Sequence, residues 1–343
     1  MALPVARSGG RTDDLSRFVP SRALEWASLN EQTALPAVAK DLSLTQAIED
    51  VLPQIPTAHR LILGDSRDLR DQPAESVHLA LTSPPYWTLK AYPTHPDQLG
   101  GVAGYEAFLD SLDEVWRHVY RALVPGGRLV VVVGDVCVPR RRAGRHMVYP
   151  LHASIQERCR QIGFDNLAPI IWHKIANAQF EADRNSGFLG KPYEPNGVVK
   201  NDVEYILFQR KPGGYRSLPV ATRILSVIPA AKHREWFQQI WTLRGASTKV
   251  HPAPYPLQLA HRLVRMFSFV GDTVLDPFMG SGTTGVAAAL SGRHSIGVDV
   301  ERSYVAMAYR RLREAGGDDR DIELLRLHSG VAAGVGPAEI LDE

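Results

Sequence analysis

The sequence predicts an α/β protein built on a mainly parallel, doubly wound sheet, with a small irregular region set into it. Three observations predict this. Short apolar strands alternate with helical patterns in both the first and the last part of the chain, the rhythm of a parallel sheet covered by helices. The run Arg128-Leu-Val-Val-Val-Val133 is apolar without alternation, as expected of a strand buried on both faces. A glycine-rich turn follows a strand and opens a helix near the C-terminal end. The 343 residues are 44% hydrophobic and 22% charged, which gives enough apolar material for a sizeable core.

In chain order, residues 1–56 form an N-terminal extension: a mobile start, then a helix or two ending near Pro53 and Pro56. Residues 57–177 begin the main domain. Strands are expected at 61–65 and 77–82, the second cut off by Ser83-Pro84-Pro85-Tyr86-Trp87. A helix over 105–123 carries Phe108, Leu112, Val115 and Val119 at helical spacing and is stopped by Pro125-Gly126-Gly127. A strand at 128–135, a helix at 151–161 and a strand at 168–172 follow. Residues 178–250 break the rhythm with Gly, Pro, Asn and basic residues and one clear strand at 203–208; we read them as an irregular region inserted in or appended to the main domain. From 181 to 250, eleven basic residues face six acidic ones, an excess greater than the net +2 of the whole chain. Residues 251–328 resume the alternation, with helices at 257–269, 280–290 and 303–314 and strands at 273–276 and 295–299. The Ala/Gly-rich stretch 329–343 is expected to be a flexible tail.

Composition narrows the function classes. Two cysteines, Cys137 and Cys159, exclude a disulfide scaffold and a cysteine-rich zinc site. The twelve histidines show no H-E-x-x-H pattern, so no metal is expected. No run of about 18 apolar residues suggests a membrane span. The first ten residues lack a secretion-signal pattern, and a cytoplasmic protein is expected.

Two stretches carry chemistry. In Asp276-Pro277-Phe278-Met279-Gly280-Ser281-Gly282-Thr283-Thr284-Gly285, the glycines satisfy G-x-G-x-x-G after a strand and at a helix start, and Asp299 ends the next strand. This is the pattern of a nucleotide site: backbone that a ligand can approach closely, with a carboxylate for ribose hydroxyls. A nicotinamide site would run the strand directly into the first glycine. A P-loop needs a lysine where Thr283 stands. The second stretch, Ser83-Pro84-Pro85-Tyr86, follows a strand, where ligands of open parallel sheets bind. A stiff Pro-Pro loop fixes its carbonyls, so the Pro84 carbonyl and the Ser83 hydroxyl can accept hydrogen bonds from an amine while Tyr86 stacks on its ring.

Together the two motifs resemble those of the DNA amino-methyltransferases, over roughly residues 61–309. Leu63-Gly64-Asp65, Val124-Pro-Gly-Gly-Arg-Leu-Val130, Ile171-Trp-His-Lys174 and His251-Pro-Ala-Pro-Tyr-Pro256 add to the resemblance. Catalytic motif first, basic region between, cofactor motif last is the order of the β group. The resemblance implies a Rossmann-like S-adenosylmethionine-dependent fold, with Asp276, Pro277, Phe278, Gly280, Ser281, Gly282, Thr283 and Thr284 around the cofactor. It also implies Asp299 on the ribose, Asp65 on the adenine, and a target-base pocket of Ser83, Pro84, Pro85 and Tyr86. Ser-Pro-Pro-Tyr is more usual in cytosine-N4 enzymes, and adenine-N6 members more often carry Asp in place of Ser83. The implied partner is duplex DNA, with the base flipped out of the helix. Residues 178–250 would be the target-recognition region. Arg140, Arg141, Arg142, Arg145, Lys191 and Lys200 are candidate phosphate contacts. A cognate restriction endonuclease and a homodimer are both compatible with the resemblance and left open by it.

Adenine-N6 methylation is the nearest alternative. A methyltransferase of RNA or of a protein amide, a non-catalytic DNA-binding homologue and a nicotinamide dehydrogenase are more distant. Methylation of cytosine C5 is excluded, because its nucleophilic cysteine follows a proline, whereas Cys137 follows Val136 and Cys159 follows Arg158.

Overall fold

A computed structural model describes residues 15–89, 92–93, 95–175, 201–246, 255–316, 321–328 and 330–341. Lys191, Lys200 and the His251-Pro-Ala-Pro stretch lie outside them. The described strands are β1 (Ala58–Leu63), β2 (Val77–Thr82), β3 (Leu123–Val133), β4 (Val136–Val138), β5 (Met147–Tyr149), β6 (Asp165–Ile175), β7 (Val203–Arg210), β8 (Ile240–Arg244), β9 (Thr273–Asp276), β10 (His294–Asp299), β11 (Asp321–His328) and β12 (Val331–Gly334). The α-helices are α1 (Ser21–Leu29), α2 (Glu31–Lys40), α3 (Leu42–Val51), α4 (Tyr105–Ala122), α5 (Arg140–Ala143), α6 (Leu151–Ile162), α7 (Val220–Leu225), α8 (Ala230–Trp236), α9 (Leu257–Phe267), α10 (Thr283–Leu290), α11 (Arg302–Gly316) and α12 (Pro337–Leu341).

Ten strands make one sheet in the order β12-β11-β1-β10-β9-β2-β3-β7-β6-β8, and β4 and β5 form a separate hairpin. Every pairing from β11 across to β3 is parallel. Strand β12 runs against β11, and β7 runs against both β3 and β6. The expected mainly parallel, doubly wound sheet is present. From β2 the chain moves outward to its neighbour β3, and from β9 it moves the opposite way to its neighbour β10. The junction of β2 and β9 is therefore a topological switch point, where a crevice opens beyond the carboxyl ends of the strands.

Burial explains the central elements. Val130 through Val133 are fully buried, as a strand covered by helices on both faces requires. On one face α4 packs its stripe of Phe108, Leu112, Val115 and Val119 with Trp116, while α9 covers the other with Leu259, Leu263 and Val264. Gly163, at φ +120°, ends α6, its N–H capping the carbonyls of Cys159 and Arg160.

Four expectations need correction. The N-terminal extension holds three helices between residues 21 and 51. Asn30 caps α2 through the N–H groups of Gln32 and Thr33, and Asp41 caps α3 through that of Leu44. Within 178–250, expected to be irregular, the described residues 201–246 are largely ordered: β7 and β8 belong to the main sheet, and α7 joins Val38, Ile48 and Leu52 of the N-terminal helices in one core. The stretch after residue 329 is not simply a tail, since β12 pairs with β11 and α12 buries Ile340. Finally, Pro125-Gly126-Gly127 lies within β3, where the pairing with β2 is irregular between Val77 and Leu79.

Candidate active site

The switch point brings the two motifs together. Asp276 ends β9 and Thr82 ends β2, and the Thr82 hydroxyl donates to Asp276 Oδ1 at 2.6 Å across 194 residues of chain. Asp276 is 2% exposed. Its other oxygen accepts from Thr284 Oγ1 at 2.6 Å and Tyr255 Oη at 3.3 Å, and the Phe278 N–H donates to Oδ1 at 3.1 Å. Burial pushes the Asp276 carboxyl above the usual carboxylate range, and these donors oppose the shift.

Beyond Asp276 the chain turns through Gly280 at φ +49° and Gly282 at φ +77°, a conformation that side chains disfavour. A Cβ at Gly282 would also lie 2.6 Å from the Ala308 side chain of α11, so this glycine admits the helix that packs on the turn. Arg311 of α11 holds the turn by donating to the Ser281 carbonyl (2.6 Å), Ser281 Oγ (2.8 Å) and Thr283 Oγ1 (3.1 Å). Asp299, at the end of β10, accepts from the N–H groups of Gly280 (2.8 Å) and Glu301 (2.9 Å). Burial pushes its carboxyl up to about 7 against those two donors.

An open cavity lies between the two loops. Ser83 and Pro85 form one side, Pro277, Phe278 and Gly280 the other, with Asp65 and Asp299 also in the wall. The remaining motif residues do other work. Asp276, Thr284, Ser281, Gly282 and Thr283 do not line the cavity; their polar groups and backbone are spent on building the turn. The Asp65 carboxylate accepts from the backbone N–H (2.9 Å) and Nε (2.8 Å) of Arg67, whose Nη2 reaches Asp97 at 3.2 Å. The cavity also takes Tyr92, Gln98, Leu99 and Tyr304, which sequence reasoning missed. Tyr92 directly precedes Pro93 and Leu99 directly precedes Gly100-Gly101, turn signals that could have flagged that loop, whereas Tyr304 carries no such signal.

Tyr86 is not the free platform that the sequence suggests. It is 6% exposed and belongs to the core under the sheet. Its hydroxyl lies 3.3 Å from Glu204 Oε2, 3.5 Å from the Val132 carbonyl and 3.4 Å from Ser83 Oγ. Pro84 is buried as well, while Ser83 is half-buried. Trp87, at φ +44°, is bulky for that backbone region and is held from three sides. Its Nε1 donates to the Val102 carbonyl at 3.0 Å, and its ring meets Tyr105 and Tyr149 edge-on at 5.4 and 5.1 Å. Tyr149 belongs to the β4–β5 hairpin, whose connecting segment exposes Arg140, Arg141, Arg142 and Arg145. The hairpin follows β3 at the same edge of the sheet as the two loops.

Cys159 is fully buried, and burial raises its thiol pKa. Among the described residues no group of three His, Cys, Asp or Glu is placed to hold a metal, and no helix is long and apolar enough to cross a membrane.

Residues 77–310 match the DNA methylase model of the N6/N4 methyltransferases. The type II methyltransferase M.MjaI of Methanocaldococcus jannaschii is 36% identical over 73% of this chain and 89% of its own length. M.MthZI of Methanothermobacter thermautotrophicus is 31% identical over 80% and 82%. The crystal structure of TTHA0409 from Thermus thermophilus, complexed with S-adenosyl-L-methionine, is 51% identical with a TM-score of 0.64, covering 78% of this chain and all of that one. The cytosine-N4-specific PvuII methyltransferase shares the fold at 19% identity, TM-score 0.55, over 78% of this chain and 96% of its own. With these motifs joined at one crevice, the chain belongs to the N6/N4 DNA methylase family, whose members are S-adenosylmethionine-dependent DNA methyltransferases.

Proposed function

We propose that the protein methylates the exocyclic N4 amine of cytosine in duplex DNA, at a specific sequence and by direct transfer to a flipped-out base. The observation that carries this reading is the Thr82–Asp276 hydrogen bond, which ties the Ser83-Pro84-Pro85 loop to the glycine turn around one cavity. The lining of the cavity fits the cofactor: a half-buried acid at a strand end for ribose hydroxyls, and apolar walls from Phe278 and Leu99.

S-adenosylmethionine, when bound, supplies a methyl group on an already activated sulfonium. The protein's own residues have a positioning and electrostatic task. An exocyclic amine is a weak nucleophile because its lone pair is delocalised into the ring. Acceptance of its protons by Ser83 Oγ and the Pro84 carbonyl favours a pyramidal nitrogen and stabilises the positive charge that develops there. Holding the amine in line with the donor can contribute about 7–11 kcal/mol of barrier reduction, the general range for oriented reactants. Tyr86 enters this reading with its hydroxyl tethered, so that only a ring face uncovered on DNA binding would stack on the base, a contact worth about 1–3 kcal/mol.

Arg140, Arg141, Arg142 and Arg145 are proposed phosphate contacts, their exposure at the crevice edge being the support, and Lys191 and Lys200 are proposed from the sequence alone. Action on cellular DNA implies a cytoplasmic enzyme. A partner nuclease and a homodimer extend the same reading to a restriction-modification setting, which the type II names of its relatives suggest.

Adenine N6 is the competing target. The relative YhdJ of Escherichia coli, 29% identical, is a DNA adenine methyltransferase. Serine at position 83 favours cytosine. Digesting DNA methylated by the purified protein and weighing the modified nucleosides separates the two: the expected product is N4-methylcytidine in deoxy form, and N6-methyladenine would reverse the assignment.

A further inference from the structure

Glu204 lies at the N-terminal end of β7. Because β7 runs against its neighbours, this end meets the carboxyl ends of β3 and β6 at the catalytic edge. Its side chain is 16% exposed. One oxygen, Oε1, accepts from Lys174 Nζ at 2.8 Å; the other faces the Tyr86 hydroxyl at 3.3 Å. The approach depends on Gly134, where a Cβ would stand 3.2 Å from Glu204 Cγ and 3.4 Å from the Tyr86 ring. Neither Glu204 nor Lys174 belongs to the motifs that define the two loops.

The chain of contacts has a direction. An ionised carboxylate only accepts hydrogen bonds, and so does a backbone carbonyl. Both oxygens near the Tyr86 hydroxyl, Glu204 Oε2 and the Val132 carbonyl, are of this kind, so the Tyr86 proton must point away from Ser83. Its lone pairs then face Ser83 Oγ at 3.4 Å, which makes the serine the donor of that pair. A serine hydroxyl whose proton is committed to Tyr86 presents only lone pairs to the cavity that it lines. These contacts are 3.3 to 3.5 Å long, and a bound substrate can shorten such hydrogen bonds.

We propose that Glu204, ion-paired with Lys174, is a positioning residue for methyl transfer: acting through Tyr86, it fixes Ser83 as a hydrogen-bond acceptor for the target amine. This rests on the reading of Ser83 given above and deepens it. Glutamine at 204 could donate as well as accept, so the Tyr86 and Ser83 protons would lose their fixed direction at almost unchanged shape. Aspartate would keep the acceptor-only chemistry.

The test measures single-turnover methyl transfer to unmethylated bacteriophage λ DNA at saturating S-adenosylmethionine, together with cofactor affinity and thermal midpoint. The variants are Glu204→Gln, Glu204→Asp, Tyr86→Phe and the Glu204→Gln/Tyr86→Phe pair. The expected result is a roughly 10- to 100-fold slower transfer for Glu204→Gln, a size typical of acid–base and hydrogen-bonding groups in catalysis. Cofactor affinity should stay within about twofold, Glu204→Asp should recover part of the rate, and the pair should be no slower than the slower single variant. Unchanged transfer in Glu204→Gln overturns the proposal. So does a loss of cofactor affinity or thermal midpoint in step with the rate, or a multiplicative double variant. Wild-type protein that transfers no methyl group to DNA would instead sink the methylation reading, and this inference with it.

Discussion

Asp299 shows how much a single half-buried carboxylate can control. Burial pushes it up to about 7, although the N–H groups of Gly280 and Glu301 both donate to it. Between the ordinary carboxyl value and about 7 the folded protein holds a proton that the unfolded chain has lost. The ligand-free protein therefore loses stability as pH rises through that window. In the proposed site, ribose hydroxyls would donate to the ionised form and favour it, which gives cofactor binding the opposite slope. The dissociation constant of S-adenosylmethionine should fall as pH rises from 6 to 8, by nearly tenfold per unit at the acid end. Asp299→Asn should bind weakly and without that slope. Calorimetric titration at several pH values checks both; a flat wild-type profile would remove Asp299 from the ribose site. Asp276 contrasts with it: its oxygens are spent on Thr82, Thr284 and Tyr255, a role that its motif does not reveal. The residues legible in the sequence are those with unusual backbone or charge. Arg311 and Glu204 are not, because an arginine in a helix or a glutamate in a strand carries no sign of what the fold brings beside it.

Elements show the same division. Strands β2 and β9 are legible to the residue, since their apolar centres, Leu79-Ala-Leu81 and Val274-Leu275, are closely followed by Ser-Pro-Pro and Asp-Pro. The Ala/Gly-rich stretch misleads because β12 is an edge strand held by backbone pairing, with little side-chain pattern to read. In β8 a signal is present, the buried Trp241 and Leu243 alternating with exposed neighbours, but short and inside a basic, irregular stretch. The β4–β5 hairpin makes a further prediction. It carries Arg140, Arg141 and Arg142 on the solvent side and docks Tyr149 on Trp87, the residue next to Tyr86. Each phosphate contact adds about 0.9 to the logarithmic salt slope of duplex binding, so replacing the three arginines with alanine should flatten it by about 2 to 3. Fluorescence anisotropy across salt concentrations reads the slope. An unchanged slope would make the arginines a solvated loop.

At the scale of the molecule, the fold does one thing for the site: it sets β9 beside β2 at the point where the chain leaves the sheet's centre in two directions. Loops almost two hundred residues apart thereby share a cavity. The order of motifs in the sequence foretells the neighbourhood but not the bond that locks it. Thr82→Val removes that bond and leaves Asp276 with one donor fewer in a buried place. It should destabilise the protein by about 1–3 kcal/mol in urea unfolding and slow methyl transfer more than it weakens cofactor binding. A variant as stable as the wild type would mean that the two strands hold their loops together without it.

A crystal structure with S-adenosylhomocysteine tests the shared cavity most directly. The ribose is predicted on Asp299, the sulfur between the glycine turn and Ser83-Pro84, and the space beyond the sulfur open toward the hairpin. A ligand seated elsewhere, with its sulfur turned away from the Ser83-Pro84 loop, would contradict the shared cavity.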